Sequence, residues 1–123
     1  MAEQRAEPRF LCADLVTLCW SQGAHGERRE AVVLENISTS GACVQCEISV
    51  PENTRVRLVC GSSEFRGSVR FCYWRDDGYF VGIAFDADSK WSKAKFTPEH
   101  LLDPREVKPR RAKPALMFVD VFA

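Results

Sequence analysis

Short runs of β-branched and aromatic residues, separated by clusters of Gly, Asn, Ser and Pro, recur between residues 10 and 85. Side chains alternate between the two faces of a strand, and turn-forming residues end strands. This sequence pattern is therefore typical of an antiparallel sheet. No long segment keeps a helical period before residue 88. The pattern predicts six strands, at residues 10–20, 27–35, 42–46, 55–60, 64–74 and 79–85. Six such strands favour a mainly β fold, a closed or nearly closed six-stranded antiparallel β-barrel.

The predicted strands show which side chains should be buried, and the fifth strand shows it most clearly. One set of alternating residues is apolar and is expected to face the core: Phe65, Val69, Phe71 and Tyr73. The intervening set is expected to face mostly water: Arg66, Ser68, Arg70 and Cys72.

The texture changes after residue 86, and three segments of the chain are therefore predicted. Residues 1–9 form an N-terminal arm, and residues 10–103 form the barrel domain, including a short C-terminal helix over residues 98–102 that Thr97 caps and Pro98 begins. Residues 104–123 form a linker with three prolines and five cations against one acid before residue 115, followed by an apolar tail. The tail could dock a partner, or a second copy of the chain to form a homodimer.

The charge balance limits the classes of partner. The 123 residues carry 17 basic and 17 acidic side chains, so no overall field attracts nucleic acid or anionic membranes. Arg66, Arg70 and Arg75 could line a strand face for nucleic acid, but zero net charge argues against DNA or RNA as partners. No segment has the pattern of a secretory signal or a membrane span, so a cytoplasmic protein is expected.

The cysteines and histidines give little sign of a metal site or of catalysis. Six cysteines in a cytoplasmic chain are expected to be reduced and buried. Cys43 and Cys46 stand three apart on a strand and so point to opposite faces, which disfavours a metal site. His25 and His100 have no identifiable catalytic partner, so no enzyme, catalytic residue or cofactor is predicted.

Two polar features stand out from this background. The first is Arg5-Ala-Glu-Pro-Arg9, two arginines four apart on an arm that Pro8 keeps extended, where guanidinium groups could bind phosphate or guanine. The second is Asn36-Ile-Ser-Thr-Ser-Gly41 between the second and third predicted strands, where Gly41 would permit a positive φ angle. Either feature alone is most simply a solvated arm or a turn.

Together, an RxxxR arm before the first strand and an [Asp/Asn]-x-Ser-x-x-Gly segment after the second resemble the paired signature of the PilZ family of bacterial cyclic di-GMP receptors. The similarity extends over about residues 5–86, ending with Tyr79-Phe-Val-Gly-Ile-Ala-Phe85, which resembles the closing strand of the family. The resemblance implies a six-stranded barrel with a C-terminal helix and with the nucleotide on its outer surface. It implies ligand-binding roles for these residues: Arg5, Arg9, Asn36, Ser38 and Gly41.

The resemblance predicts a stand-alone cyclic di-GMP receptor or adaptor in second-messenger signalling, with the arm closing over the ligand and passing the signal to a downstream protein. Asn36 replaces the aspartate often found in the family, which keeps an acceptor but loses a charge. Gln4 and Ala6 lack the extra arginines of many members, so one nucleotide or a stacked pair both stay open. The alternative is a PilZ-like protein-interaction module that binds no nucleotide.

Overall fold

The structure is a computed structural model, and it describes residues 7–106. Its strands are β1 (Phe10–Ser21), β2 (Glu27–Ser38), β3 (Gly41–Cys46), β4 (Arg55–Cys60), β5 (Ser63–Arg75) and β6 (Gly78–Phe85). Every neighbouring pair is antiparallel, and the order β1-β2-β3-β6-β5-β4 closes into a barrel. Two short 3₁₀ turns, Gly23–His25 and Pro104–Glu106, complete the elements. The predicted six-stranded antiparallel barrel is confirmed.

The barrel closes only along the second half of β1, where residues 17–20 pair with β4. The edge of the first half is covered by the segment that follows β6. Leu11 and Leu102 exchange two backbone hydrogen bonds of 2.8 Å, and the Ala13 N–H donates to the carbonyl of Glu99 at 3.2 Å. An unpaired strand edge can pair with another chain. The segment after β6 covers the free edge of β1, whose first residue follows Arg9.

The short helix expected over residues 98–102 is not confirmed. Glu99 and His100 form a turn, and His100 has a φ of 58°, which a right-handed helix does not accommodate. Leu102 then pairs as an isolated bridge with β1. The backbone groups that a helix would have bonded internally bond the barrel edge instead, which overrides the local helix-start signal of Thr97 and Pro98.

The core lies inside the barrel and draws on all six strands. Its fully buried members include Leu18, Leu34, Val44, Leu58, Val69 and Val81. Trp91, beyond β6, joins this core and packs edge-on against Phe10, with ring centroids 5.6 Å apart, and its indole N–H donates to the carbonyl of Phe96. Burial of these apolar side chains is the main source of the barrel's stability.

A bulge in β5 overturns part of the expected burial pattern. The register with β6 shifts between Val69 and Phe71, so Arg70 is the extra residue. Val69 points inward as expected, but beyond the bulge the alternation is reversed and Cys72 packs against the core. Phe71 and Tyr73, which were expected in the core, are 37% and 46% exposed on the outer surface.

All six cysteines are free thiols, and four of them are buried. Burial raises the pKa of Cys12 and Cys60 to about 12, helped by the nearby charge of Asp14. A thiol with such a pKa holds almost no thiolate near neutral pH and is a poor nucleophile. Among residues 7–106, no helix has the length and apolarity needed to cross a membrane.

These thiols are expected to resist alkylation while the barrel is folded. With iodoacetamide at pH 8, Cys60 should react at least about tenfold more slowly in the native protein than in urea, because the thiolate is the reactive species. Mass spectrometry of quenched time points measures each site separately. Equal rates at Cys60 in the two conditions would contradict the burial described for it.

Candidate functional site

A pocket of about 260 Å³ lies on the outer surface of the barrel. It crosses strands β2, β3, β6 and β5, and the N-terminal segment before β1 borders it. Its lining combines two arginines, several short polar side chains and one aromatic ring: Glu7, Arg9, Asn36, Ser38, Ser40, Gly41, Ala42, Cys43, Arg70, Phe71, Gly82 and Ile83.

The floor of the pocket is one lateral row of the sheet. Asn36 pairs with Cys43, Cys43 with Gly82, and Gly82 with Phe71, so these residues lie side by side on β2, β3, β6 and β5. Small side chains stand in the middle of the row and larger ones at its ends. With strands about 4.8 Å apart, the two ends are separated by roughly 14 Å, and the row forms a trough between them.

A bulge in β2 directs Asn36 and Ser38 into this pocket. The register with β3 shifts between Leu34 and Asn36, so Leu34 and Ile37 both face the core and are fully buried. The intervening Asn36 and the following Ser38 line the pocket. Bulges commonly re-aim side chains next to functional sites, and β5 has its own bulge on the opposite side of the same pocket.

The segment from Asn36 to Gly41 was expected to be a turn, but β2 continues to Ser38 and only Thr39 and Ser40 turn. The burial of Ile37, paired with Phe10, extends the strand. The turn itself is held by the end of β6 and by the segment that follows it. The Phe85 N–H donates to the carbonyl of Ser40 at 2.8 Å, and the Trp91 N–H donates to that of Thr39 at 2.9 Å. The turn that borders the pocket at Ser40 is therefore held in place by the protein itself, without a ligand.

Gly41 lines the pocket but does not have the positive φ angle that its place in a turn would permit. It is not among the described glycines with positive φ, which are Gly23, Gly26 and Gly61. Instead, it begins β3 opposite Ala84, and a β-carbon on it would lie 2.5 Å from the carbonyl oxygen of Ile83. Glycine is needed here because two strand backbones approach closely beneath the pocket.

Glu7 joins the two polar features of the sequence. It lies within Arg5-Ala-Glu-Pro-Arg9, and its Oε1 accepts hydrogen bonds of 2.9 Å from both the N–H and the hydroxyl of Ser40. Partial burial by itself would raise the pKa of Glu7, but these hydrogen bonds outweigh it and lower the pKa below its usual value. The carboxylate thus attaches the N-terminal segment to the β2–β3 turn, at the edge of the pocket.

The attachment of Glu7 is expected to depend on pH. Because the folded-state pKa of Glu7 is lowered, the carboxylate contact is fully formed above its ordinary pKa of 4.5 and is lost as pH falls through the lower folded value. The amide resonance of Ser40 in a ¹⁵N–¹H spectrum should therefore shift on acidification. In Glu7→Gln, which cannot titrate, the shift should be absent. An equal shift in the two proteins would contradict the assignment.

The structure brings four of the five predicted site residues to this pocket: Arg9, Asn36, Ser38 and Gly41. The fifth, Arg5, lies outside the described residues. The charge of Arg9 acts on Cys43 in the pocket floor, although burial dominates and raises the pKa of that thiol to about 11. Arg9 thus provides a cation at the pocket, and Arg70 provides another from β5.

The pocket residues that sequence reasoning did not assign to this site include three large side chains, Glu7, Arg70 and Phe71. Glu7 lay within the RxxxR segment but received no role, because a hydrogen bond to Ser40 spans 33 positions. Arg70 and Phe71 were assigned to opposite faces of β5, because the bulge that turns both outward has no clear signal in the residues around it. The one relevant signal in the sequence is Gly82, because glycine within a strand often marks a close approach of another group to the backbone.

Of the other described residues considered for chemistry, only Cys43 lines the pocket. Cys46 belongs to the core, whereas Cys43 lines the pocket, so the two point to opposite faces as expected. Within residues 7–106, no three His, Cys, Asp or Glu side chains come together as metal ligands would. His25 and His100 lie in exposed turns and do not line the pocket.

Neither a scan against protein-family models nor a search of curated proteins finds a match to this chain.

Proposed function

We propose that the chain is a cyclic di-GMP receptor of the PilZ type and that the pocket crossing β2, β3, β6 and β5 is its nucleotide site. The observation that carries this proposal is the contact between Glu7 and Ser40. It joins the RxxxR segment to the Asn-x-Ser-x-x-Gly segment, and the pocket with Arg9, Asn36 and Ser38 lies at that junction. Two features that are weak when taken separately thus contribute residues to one pocket, which supports the proposal.

The chemistry of the pocket suits a guanine nucleotide. Arginine can bond guanine O6 and N7, or two phosphate oxygens, with its paired N–H groups, and Arg9 and Arg70 offer two such groups. The Asn36 side-chain oxygen can accept from the guanine N1–H or the exocyclic amine, and the Ser38 hydroxyl can bond phosphate. The ligand is proposed to bind without being chemically changed.

The size of the pocket favours a ligand that is only partly enclosed by the described residues. Its volume of about 260 Å³ lies below the roughly 300–1,000 Å³ of pockets that enclose a drug-sized ligand. We expect the arm bearing Arg5 to cover the rest. Closing of the arm costs conformational entropy and is offset by charge-assisted hydrogen bonds, so ligand binding becomes a change in arm position that a downstream protein can read.

Isothermal titration calorimetry of the full chain with cyclic di-GMP, with GTP and cyclic AMP as controls, tests the proposal directly. Saturable binding is expected for cyclic di-GMP and at least about tenfold weaker binding for the controls, because neither can place two guanines across one site. The stoichiometry shows whether one or two nucleotides bind per chain. Absence of binding at millimolar cyclic di-GMP, with folding confirmed by circular dichroism, would overturn the proposal.

A second candidate function, a protein-interaction module, is favoured by a different row on the outer surface. Leu15, Val33, Gln45, Phe80 and Tyr73 are paired in turn across β1, β2, β3, β6 and β5. Leu15 is 69% exposed, and Val33 and Tyr73 are also exposed. Although Gln45 interrupts this row, apolar side chains exposed together on one surface often mark interaction surfaces.

Self-association is the most direct test of this second candidate. Light scattering at increasing protein concentration should show a dimer that Leu15→Lys disperses and Thr17→Lys leaves intact, since Thr17 lies two residues along the same strand and outside the row. Repeating the measurement without residues 104–123 tests whether the C-terminal tail is needed. A monomer at all concentrations, with cyclic di-GMP bound, would favour the receptor function alone.

A further inference from the structure

Phe71 occupies an unusual position for a large apolar side chain. It faces outward from β5, immediately after the bulge at Arg70, and lines the pocket. It is paired with Gly82, and a β-carbon built on that glycine would lie 2.2–2.7 Å from three carbons of the Phe71 ring. The ring therefore fills the space directly above the Gly82 backbone. A side chain larger than that of glycine at position 82 would clash with it.

Neighbouring rings hold Phe71 in this position from one side. The Phe71 and Tyr73 rings are stacked, with centroids 5.6 Å apart and planes inclined by 23°, and Tyr73 stacks in turn on Phe80 at 6.0 Å. The Arg75 guanidinium lies 4.8 Å above the Phe80 ring. Phe71 is the only ring of this stack that lines the pocket.

The pocket thus combines one aromatic ring with two cations. Phe71 is 37% exposed, which leaves ring surface for a ligand, and Arg70 precedes it in the chain while Arg9 lies at the other side of the pocket. A planar base can stack on an aromatic ring, and a guanidinium beside the ring can bind phosphate or the edge of the base. Fixed rings lose little conformational entropy when they bind a ligand.

We propose that Phe71 and Arg70 form the base-binding end of this pocket, with Phe71 stacking on a purine and Arg70 bonding its phosphate or its edge. This inference rests on the proposed nucleotide function and deepens it. It assigns ligand contacts to the bulge of β5, across the trough from Asn36 and Ser38. The ligand then spans four strands.

Calorimetry with cyclic di-GMP tests the role of Phe71 by matched variants. Phe71→Ala is expected to weaken binding by on the order of tenfold to a hundredfold, the effect of removing one stacking partner. Trp74→Ala, which removes an exposed ring of the same strand outside both the stack and the pocket, should change affinity less than about threefold. Phe71→Trp should retain affinity, and Phe71→Leu, similar in size but without a ring, should lose it.

Arg70 has its own control on the same strand. Arg70→Ala should weaken binding about tenfold or more, whereas Arg66→Ala, an exposed arginine outside this pocket, should have little effect. Circular dichroism and thermal melting establish that each variant is folded. Where Phe71→Ala does not fold, the comparison of Phe71→Leu with Phe71→Trp decides the question.

The outcomes separate this inference from the function on which it rests. No binding by the wild-type chain overturns the nucleotide function and the stacking role together. Binding by the wild-type chain that Phe71→Leu and Arg70→Ala leave within twofold overturns the inference alone. Equal losses from Phe71→Ala and Trp74→Ala also overturn it, because they would indicate a general effect on β5 rather than the loss of a stacking partner.

Discussion

Replacing Arg9 with alanine is expected to weaken binding of cyclic di-GMP by roughly 2–5 kcal/mol, or about 30-fold to 5,000-fold. Arg9 and Glu7 both line the pocket, and Glu7 is hydrogen-bonded to Ser40. Removing the Arg9 side chain should therefore remove a cation from the pocket without moving the neighbouring segment. Calorimetry gives the affinity, and Arg9→Lys shows how much of it depends on the paired N–H groups rather than on charge alone.

The control for Arg9 is an exposed arginine on β2 far from the pocket. Arg29 is paired with Glu27, and Arg29→Ala should leave the affinity for cyclic di-GMP within about twofold. Affinity that is the same in Arg9→Ala and in the wild-type chain would exclude Arg9 from the site. Arg5→Ala tests the other half of the RxxxR segment in the same assay.

Replacing Gly41 with alanine is expected to destabilise the barrel by about 1–3 kcal/mol, the usual cost of forcing an added methyl group into close-packed structure. The added β-carbon would lie 2.5 Å from the Ile83 carbonyl oxygen, so β3 and β6 must separate locally. Thermal or urea unfolding measures the change. Because both strands form the floor of the pocket, nucleotide affinity should fall as well.

Thr39→Ala provides the control for Gly41. Thr39 lies in the adjacent turn, its side chain is exposed, and its truncation adds no atom, so a change within about 0.5 kcal/mol is expected. If Gly41→Ala is as stable as the wild-type chain but binds nucleotide poorly, Gly41 contacts the ligand rather than supporting the strands, and the structural explanation is wrong.

The strands could be predicted from sequence because local signals agreed with the fold. Runs of β-branched and aromatic residues ended at turn residues, and the predicted strand at residues 55–60 matches β4 residue for residue. The order of the strands also follows from short connections, since four of the six pairs join consecutive strands. The helix expected over residues 98–102 is not confirmed, because its signal was local, whereas Leu102 pairs with Leu11, a residue distant in the sequence.

The site could be predicted only where its residues form a motif. Asn36 and Ser38 line the pocket as expected, but the bulge that directs them there depends on the pairing of β2 with β3. In the same way, simple alternation put Phe71 and Tyr73 inside the barrel, and one extra residue in β5 puts them outside. A bulge moves every later side chain of a strand to the opposite face. One extra residue, which leaves little trace in the sequence, can therefore change which side chains line a surface site.

The pairing of Leu11 with Leu102 joins the point where the chain enters the barrel to the point where it leaves. The Leu11 amide hydrogen is bonded to the Leu102 carbonyl, so it exchanges with solvent only when the departing segment lifts from β1. Arg9 stands two residues before Leu11. If a ligand bound near Arg9 stabilises the start of β1, the pairing of Leu11 with Leu102 should open less often. Slower hydrogen exchange of the Leu11 amide would then report that binding at the pocket affects the segment that follows the barrel.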